Sequence, residues 1–408
     1  MAIRPDPAAP GGTERVQSPL SGEQIQRAPK VLLHDHLDGG LRPATVIELA
    51  RDIDYRHLPT DDPDELARWF TRGADQKSLE LYLEAITGAV AVIQTPDAIA
   101  RVAAECTEDL AADGIVYAEV RFAPELFTQR RLPLDEIMAA AWSGFEEGMW
   151  RADAAGHPIV VRILVTAMRQ ARRSTEIAEL TIRCRDAGVV GFDLAGPEAG
   201  YPPAAHLEAF QLLQRANVRI TVHAGEAFGL PSIHDALELC GAERLGHGVR
   251  IVDDITLDDD GRHVLGRLAS YVRDRRIALE ICPTSNVHTG AAASIAEHPF
   301  DILSQLGFCV TVNTDDRLLS DVSLSGEFGV LADAFRIDLD DMERMTLHAM
   351  TSSFLPYDQR VALISDVIEP GYARLRAEAG AASQPTRRRA SPGVAEADLS
   401  HGRSMDPG

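Results

Sequence analysis

Two rhythms of apolar and polar positions alternate along this chain. Short, nearly unbroken apolar runs fall at Val31–His34, Ile115–Phe122, Ile159–Thr166, Val189–Leu194, Val218–Val222, Arg244–Gly246, Ile277–Ile281 and Cys309–Asn313. Runs such as I-V-V-R-I-L-V-T lack strict alternation, which predicts parallel strands covered on both faces. Between them, helical spacing of apolar residues spans Pro96–Asp113, Leu134–Ala155, Thr175–Ala187, Ala204–Ala216 and Ser232–Leu239. Thr95 suits an N-cap, and Pro96 the first helical position. Repeated strand–helix alternation predicts one α/β domain, a closed (β/α)8 TIM-type barrel, with an open doubly wound sheet as the alternative.

One interval is too long for this beat. About eighty residues lie between the first two strands, where a single helix needs far fewer. The reading is a helical insertion over about residues 41–110, which includes the helical stretch Ser78–Val92. In a barrel the loop after a strand opens on the catalytic face, so the insertion is expected to form a wall or lid of the pocket; the alternative is a structural insertion elsewhere on the surface. The barrel domain is expected over residues 27–368. Residues 1–26, rich in Pro, Gly, Ser and Arg, are expected to be disordered, and residues 369–408 to hold a helix end and then, from about 379, a disordered tail.

Composition narrows the classes. The chain has 408 residues, 45% hydrophobic and 25% charged, as in ordinary globular enzymes, and no apolar run approaches the length that spans a bilayer. A formal charge of -22 disfavours polyanionic partners, so neither a membrane nor a nucleic acid is expected. The basic clusters at 168–173 and 387–389 read as solvated face and tail. Five scattered cysteines form no C-x-x-C pattern, and the first twenty-five residues lack a secretory apolar region, which points to the cytoplasm.

Candidate chemistry gathers at the C-terminal ends of the predicted strands, where barrels carry their sites. His34 and His36 end the first strand two residues apart, hence on one face. His223 ends the fifth and Asp315 follows the eighth. These four give nitrogen and oxygen donors from three strands, a set suited to a catalytic divalent ion with one position left for water; zinc is the first choice. Glu226, three residues past His223, is placed to deliver a proton to a ring nitrogen, and His247, between two glycines, to orient or deprotonate the water. Taken singly, His34, His36 and His223 read equally well as structural histidines, and Asp315, Glu226 and His247 read better as structural or surface residues. Their convergence on one rim favours the site.

Seven segments carry a resemblance: K-V-L-L-H-D-H-L-D-G at 30–39, Y-A-E-V-R-F-A-P at 117–124, G-F-D-L-A-G-P-E at 191–198, H-A-G-E at 223–226, R-L-G-H-G at 244–248, E-I-C-P-T-S-N at 280–286 and N-T-D-D at 313–316. In this order, over roughly residues 28–365, the chain resembles the adenosine deaminase family of metal-dependent aminohydrolases. The resemblance implies zinc on His34, His36, His223 and Asp315. It makes Glu226 the proton donor to purine N1, and gives His247 the positioning and polarising of the attacking water. It places Asp316 at purine N7 and near the nucleophile, the Gly196 backbone N–H at N3, Asp38 at the ribose hydroxyls, and His36 beside substrate as well as metal. The implied reaction is hydrolytic deamination of adenosine and 2'-deoxyadenosine to inosine and 2'-deoxyinosine with release of ammonia, a purine-salvage step. One ion per chain is expected, because D-L-A-G-P-E lacks the lysine that related binuclear amidohydrolases modify to bridge two metals.

The chain departs from the family pattern at three places. Arg317 stands where proline is frequent, Pro197 where an acid is common, and His348 where asparagine is expected. Arg317 and Pro197 are expected to border the purine site, which keeps open a related 6-aminopurine substrate: adenine, adenosine monophosphate, an N6-substituted adenylate or aminofutalosine. An esterase or lactonase on the same kind of barrel, or a decayed, non-catalytic relative, would each dispense with the proton donor at Glu226.

Overall fold

The computed structural model describes residues 20–382. Its eight barrel strands are β1 (Lys30–His36), β2 (Ile115–Phe122), β3 (Val160–Met168), β4 (Val189–Ala195), β5 (Arg219–Ala224), β6 (Arg244–His247), β7 (Ala278–Ile281) and β8 (Cys309–Val312). They pair in chain order and all in parallel. The seam between β8 and β1 is narrow. The backbone N–H of His36 donates to the Asp315 carbonyl at 2.9 Å, and that of Asp315 to the His34 carbonyl at 3.0 Å. The Asn313 side-chain oxygen accepts from Leu33 N–H and His34 N–H at 3.0 and 3.1 Å, where β8 has already ended. The barrel closes, so the doubly wound alternative is excluded.

The eight apolar runs fold as predicted because each is covered by helices outside and by inward side chains at the axis. Thr95 caps Pro96–Ala112 through its hydroxyl, as expected. The axis is not wholly apolar. Beneath the catalytic end, Arg121 Nη2 donates to Glu280 at 2.7 Å, and Arg244 bridges Glu280 at 2.7 Å to Glu119 at 2.6 Å, all of them buried. Buried charges persist only when paired and hydrogen-bonded, and here each guanidinium meets carboxylates.

Four helices follow β1 before the barrel helix: Pro43–Asp52, Pro63–Ala74, Leu79–Ala85 and Thr87–Val92. Two expectations at the ends need correction. Gly22–Arg27 is a helix rather than disordered, because Ser21 and Gln24 form a reciprocal capping box and Ile25 is buried. Lys30 secures it from below, donating to the carbonyls of Ile25, Gln26 and Ala28 at 2.8, 3.2 and 3.0 Å. The last helix continues to Ala382, past the expected onset of disorder at 379. The remaining terminal expectations, over residues 1–19 and 383–408, lie outside the described residues. A small antiparallel hairpin, Ile255–Leu257 with His263–Leu265, was not anticipated.

Candidate active site

Strand ends deliver the predicted donors to one point. His34, His36, His223 and Asp315 present one ligand atom each within 4.8 Å of one another. His36 Nε2 lies 3.2 Å from His223 Nε2, and Asp315 Oδ1 lies 3.2 Å from His34 Nε2 and 3.4 Å from His36 Nε2. Two imidazole nitrogens facing each other at that distance have no favourable contact unless a proton or a cation lies between them. His34 Nε2 is buried without a hydrogen-bond partner, so it too is left as a free donor atom. The residues therefore fit a divalent cation held by nitrogen and oxygen.

Carboxylates behind the histidines set which nitrogen is free. His34 Nδ1 is 2.9 Å from Glu280 Oε2, and His223 Nδ1 is 3.0 Å from Asp193 Oδ1. A carboxylate accepts from Nδ1–H and leaves the Nε2 lone pair facing the metal position. Burial works against the Asp193 carboxylate, but His223 and Arg121 outweigh it and hold the group well below the usual carboxylate range. Ser285 Oγ donates to Asp315 Oδ2 at 2.6 Å, orienting the remaining ligand.

A cleft above these donors is lined by His36, Asp38, Gly196, Glu226, His247 and Asp316, with Leu79, Tyr82, Leu83 and Ile86 of the insertion as an apolar wall. Every residue assigned a role from the sequence except the deep ligand His34 therefore lines one cavity. Burial and the charge of Asp315 push the Glu226 carboxyl well above the usual carboxylate range. Burial, then Asp35 and Asp315, raise Asp38 to about 7. Burial and the neighbouring Asp315 and Asp38 raise Asp316 well above the carboxylate range. Glu226 Oε1, Asp38 Oδ1 and Asp316 Oδ1 are buried and unpartnered, so three hydrogen-bonding atoms converge on the cleft. His247 (φ 61°) and Asp315 (φ 59°) hold left-handed backbone, a strain that recurs at functional sites. Gly39 is needed for the same reason of space, since a Cβ there would lie 1.6 Å from Asp316 Oδ1.

A sequence profile of the adenosine deaminase family matches residues 29–370. The chain belongs to the adenosine deaminase family. Adenosine deaminase 1 of Streptomyces coelicolor is 59% identical over 371 residues, 91% of this chain and 93% of its own. Adenosine deaminase of Mycobacteroides abscessus is 59% identical over 351 residues, 86% and 97% of the two chains. Among solved structures, an adenine deaminase from Arthrobacter aurescens superposes with a TM-score of 0.73 at 23% identity, covering 86% of this chain and 99% of its own. An N6-mAMP deaminase from Arabidopsis gives 0.70 at 24%, covering 84% and 98%. These two share the fold of this adenosine deaminase family member.

The departures from the family pattern fall elsewhere than expected. Arg317 does not border the purine cleft: its guanidinium turns outward to Asp35 at 2.7 Å and to Cys106 Sγ at 3.1 Å. Alternation along β1 explains this, because Asp35 points away from the face that His34 and His36 share. Pro197 is absent from the cleft lining, while its neighbours Gly196 and Glu198 act on either side of it. His348 lies outside the cleft lining too, bonding the Val310 carbonyl at 3.2 Å.

Sequence reasoning left several supporting residues without roles. Asp193 and Glu280 hold His223 and His34, and an acid inside an apolar strand run (G-F-D-L, A-L-E-I) was the legible signal. Glu198 organises the H-A-G-E turn. Its Oε1 accepts from Gly225 N–H at 2.6 Å, and its Oε2 from Glu226 N–H and Phe228 N–H at 3.1 and 2.8 Å. Arg169, within the basic cluster read as solvated, is buried and donates to the carbonyls of Leu194 and His223.

Proposed function

We infer that this protein catalyses hydrolytic deamination of adenosine and 2'-deoxyadenosine, consuming water and releasing ammonia to give inosine and 2'-deoxyinosine. The observation that carries the reading is a buried Glu226 on the same cleft as a four-donor cation site, in a chain 59% identical to two proteins named adenosine deaminase.

His34, His36, His223 and Asp315 would hold a single divalent ion, and zinc suits three imidazoles and a carboxylate. Such an ion, when bound, polarises a water and lowers its pKa toward neutrality. The protein's own groups complete the chemistry. Glu226 delivers its proton to purine N1, which draws electron density from C6 and opens it to the incoming oxygen. The C6–O bond forms and the C6–N bond breaks; one of the water's two protons leaves with the amino group as ammonia, and the other replaces the proton that Glu226 gave to N1. Asp316 faces N7 and the nucleophile, where its raised pKa lets it share a proton with either. The Gly196 N–H is assigned to N3 and Asp38 to the ribose hydroxyls. The apolar wall of Leu79, Tyr82, Leu83 and Ile86 excludes bulk water.

The ribose-facing acid disfavours free adenine, and no lysine or arginine among the described residues lines the cleft to meet a phosphate. No helix among the described residues is long and apolar enough to cross a membrane. All five cysteines are free thiols, which fits a reducing cytoplasm.

Ammonia release from adenosine, 2'-deoxyadenosine, adenine, adenosine monophosphate and N6-methyl adenylate tests this directly. The nucleosides are expected to give the highest kcat/KM. Preference for the base or a nucleotide would replace this substrate assignment, and silence on every 6-aminopurine would end it.

A further inference from the structure

His247 reaches the cleft through one ring nitrogen, and what stands behind the other decides its chemistry. Its Nδ1 lies 3.0 Å from Asn286 Nδ2. The Asn286 carbonyl oxygen lies 3.2 Å from His298 Nε2. His298 Nδ1 in turn accepts from the backbone N–H of Phe300 at 3.0 Å. All three side chains are buried: Asn286 is 0%, His247 1% and His298 3% exposed. Water cannot readily substitute for a lost partner there.

A side-chain amide is often ambiguous because its two ends look alike, and a histidine because its proton can sit on either nitrogen. Here a group with neither freedom ends the chain of bonds. The Phe300 amide can only donate, so His298 Nδ1 must accept and carries no proton. Burial lowers the His298 pKa to about 4, so the ring is neutral and its proton sits on Nε2. That proton requires an acceptor, which fixes the Asn286 oxygen toward His298. The Asn286 NH2 is thereby fixed toward His247, and His247 Nδ1 must accept. A flipped amide would set two donors face to face inside a buried site, leaving both without an acceptor. With Nδ1 accepting, the His247 ring carries its proton on Nε2, the nitrogen 3.4 Å from Glu226 Oε2 on the cleft side.

Building on the deaminase reading above, we propose that His298 and Asn286 are positioning residues. Anchored on the Phe300 amide, they fix His247 as the Nε2–H tautomer, so that it donates a hydrogen bond to the attacking oxygen rather than removing its proton. Neither residue touches the substrate. The relay reaches from the loop before Phe300, through the helix Pro283–His288, to the end of β6. It settles the choice between orienting and deprotonating the water in favour of orienting.

The tautomer can be read without turnover. In zinc-loaded protein labelled with 15N-histidine, two-bond proton–nitrogen correlations distinguish the two forms, and loss of one signal set in His247→Ala assigns the ring. The Nε2–H form is expected, and the Nδ1–H form would overturn the proposal even if deamination is fully established. In steady-state kinetics, His298→Ala frees the Asn286 amide to flip and is expected to lower kcat about 10- to 100-fold, the usual range for groups behind a catalytic shell. KM and zinc content should stay near wild type. His298→Gln keeps an acceptor for Phe300 and a donor for Asn286, so it should restore the Nε2–H signal and most of kcat. Undiminished kcat in His298→Ala, or a zinc-replete His298→Gln as impaired as His298→Ala, would refute the relay. If the alanine variant does not fold, the wild-type spectrum and the glutamine variant still decide the matter.

Discussion

Replacing Glu198 by Gln changes one atom and tests whether the turn carrying Glu226 is held by a charge. The carboxylate accepts three backbone N–H groups, from Gly225, Glu226 and Phe228, at 2.6, 3.1 and 2.8 Å. In the least damaging orientation glutamine keeps its oxygen on the Glu226 and Phe228 pair. Its NH2 then meets the Gly225 N–H, and two donors must move apart. Hydrogen bonds to charged groups contribute about 1.5–3 kcal/mol each and neutral ones about 1 kcal/mol. One bond lost and two weakened, with some recovery by water, amounts to about 2–4 kcal/mol of turn order. If that falls on the transition state, kcat/KM drops roughly 30- to 900-fold. Ammonia-release kinetics, zinc content and thermal unfolding should be measured on the same preparation. The expected pattern is a large loss of kcat with zinc retained, since His223 is held by Asp193 rather than by Glu198. Wild-type kcat/KM in a folded, zinc-replete Glu198→Gln protein would refute the argument that this carboxylate aims Glu226.

Glu226→Gln removes the transferable proton and should lower kcat by about 10²- to 10⁴-fold with zinc still bound, checked by elemental analysis beside the rate. His36→Ala should lose zinc and activity together, whereas Asp38→Ala should keep zinc and raise KM for nucleosides more than it lowers kcat; equal metal content in the two variants would contradict the ligand assignment. Chelation should abolish turnover and added zinc restore it. At Lys30 burial lowers the pKa from the ordinary 10.5 to about 8, so the folded state binds this proton more weakly than the unfolded state. Stability therefore carries a penalty of about 3 kcal/mol below pH 8 that fades as pH rises toward 10.5. Lys30→Met should remove that slope, visible as the difference between the two proteins' denaturation midpoints across pH 7–10.5.

The strands were legible because burial on both faces of a parallel sheet demands unbroken apolar runs, and all eight carried them. The convergence of the four donor residues was legible because period-two spacing and strand ends are visible in one dimension. What escaped needed the third dimension. Arg317 follows Asp316 in sequence, but the helical turn Arg317–Ser320 carries its guanidinium to the far face of β1. The pairing of Asn286 with His298 joins residues twelve apart across a loop with no periodic pattern. The hairpin at 255–265 has exposed, weakly apolar strands, although its D-D-D-G run was a usable turn signal. The capping box at Ser21 was equally readable, and was overlooked among the prolines and glycines before it.

The seam of the barrel gives synthesis a direction. His34 and His36 emerge from the ribosome almost three hundred residues before Asp315, whose backbone both completes the ring of strands and accompanies the last ligand. Contacts so distant in sequence form late, because chain entropy must be spent before they reward it. A nascent chain arrested short of residue 315 should hold three histidines but neither a closed ring nor an acid among its ligands. Cells making this protein would thus be spared a partly built hydrolase: competence would arrive with the last strand, after about three quarters of the chain has been made.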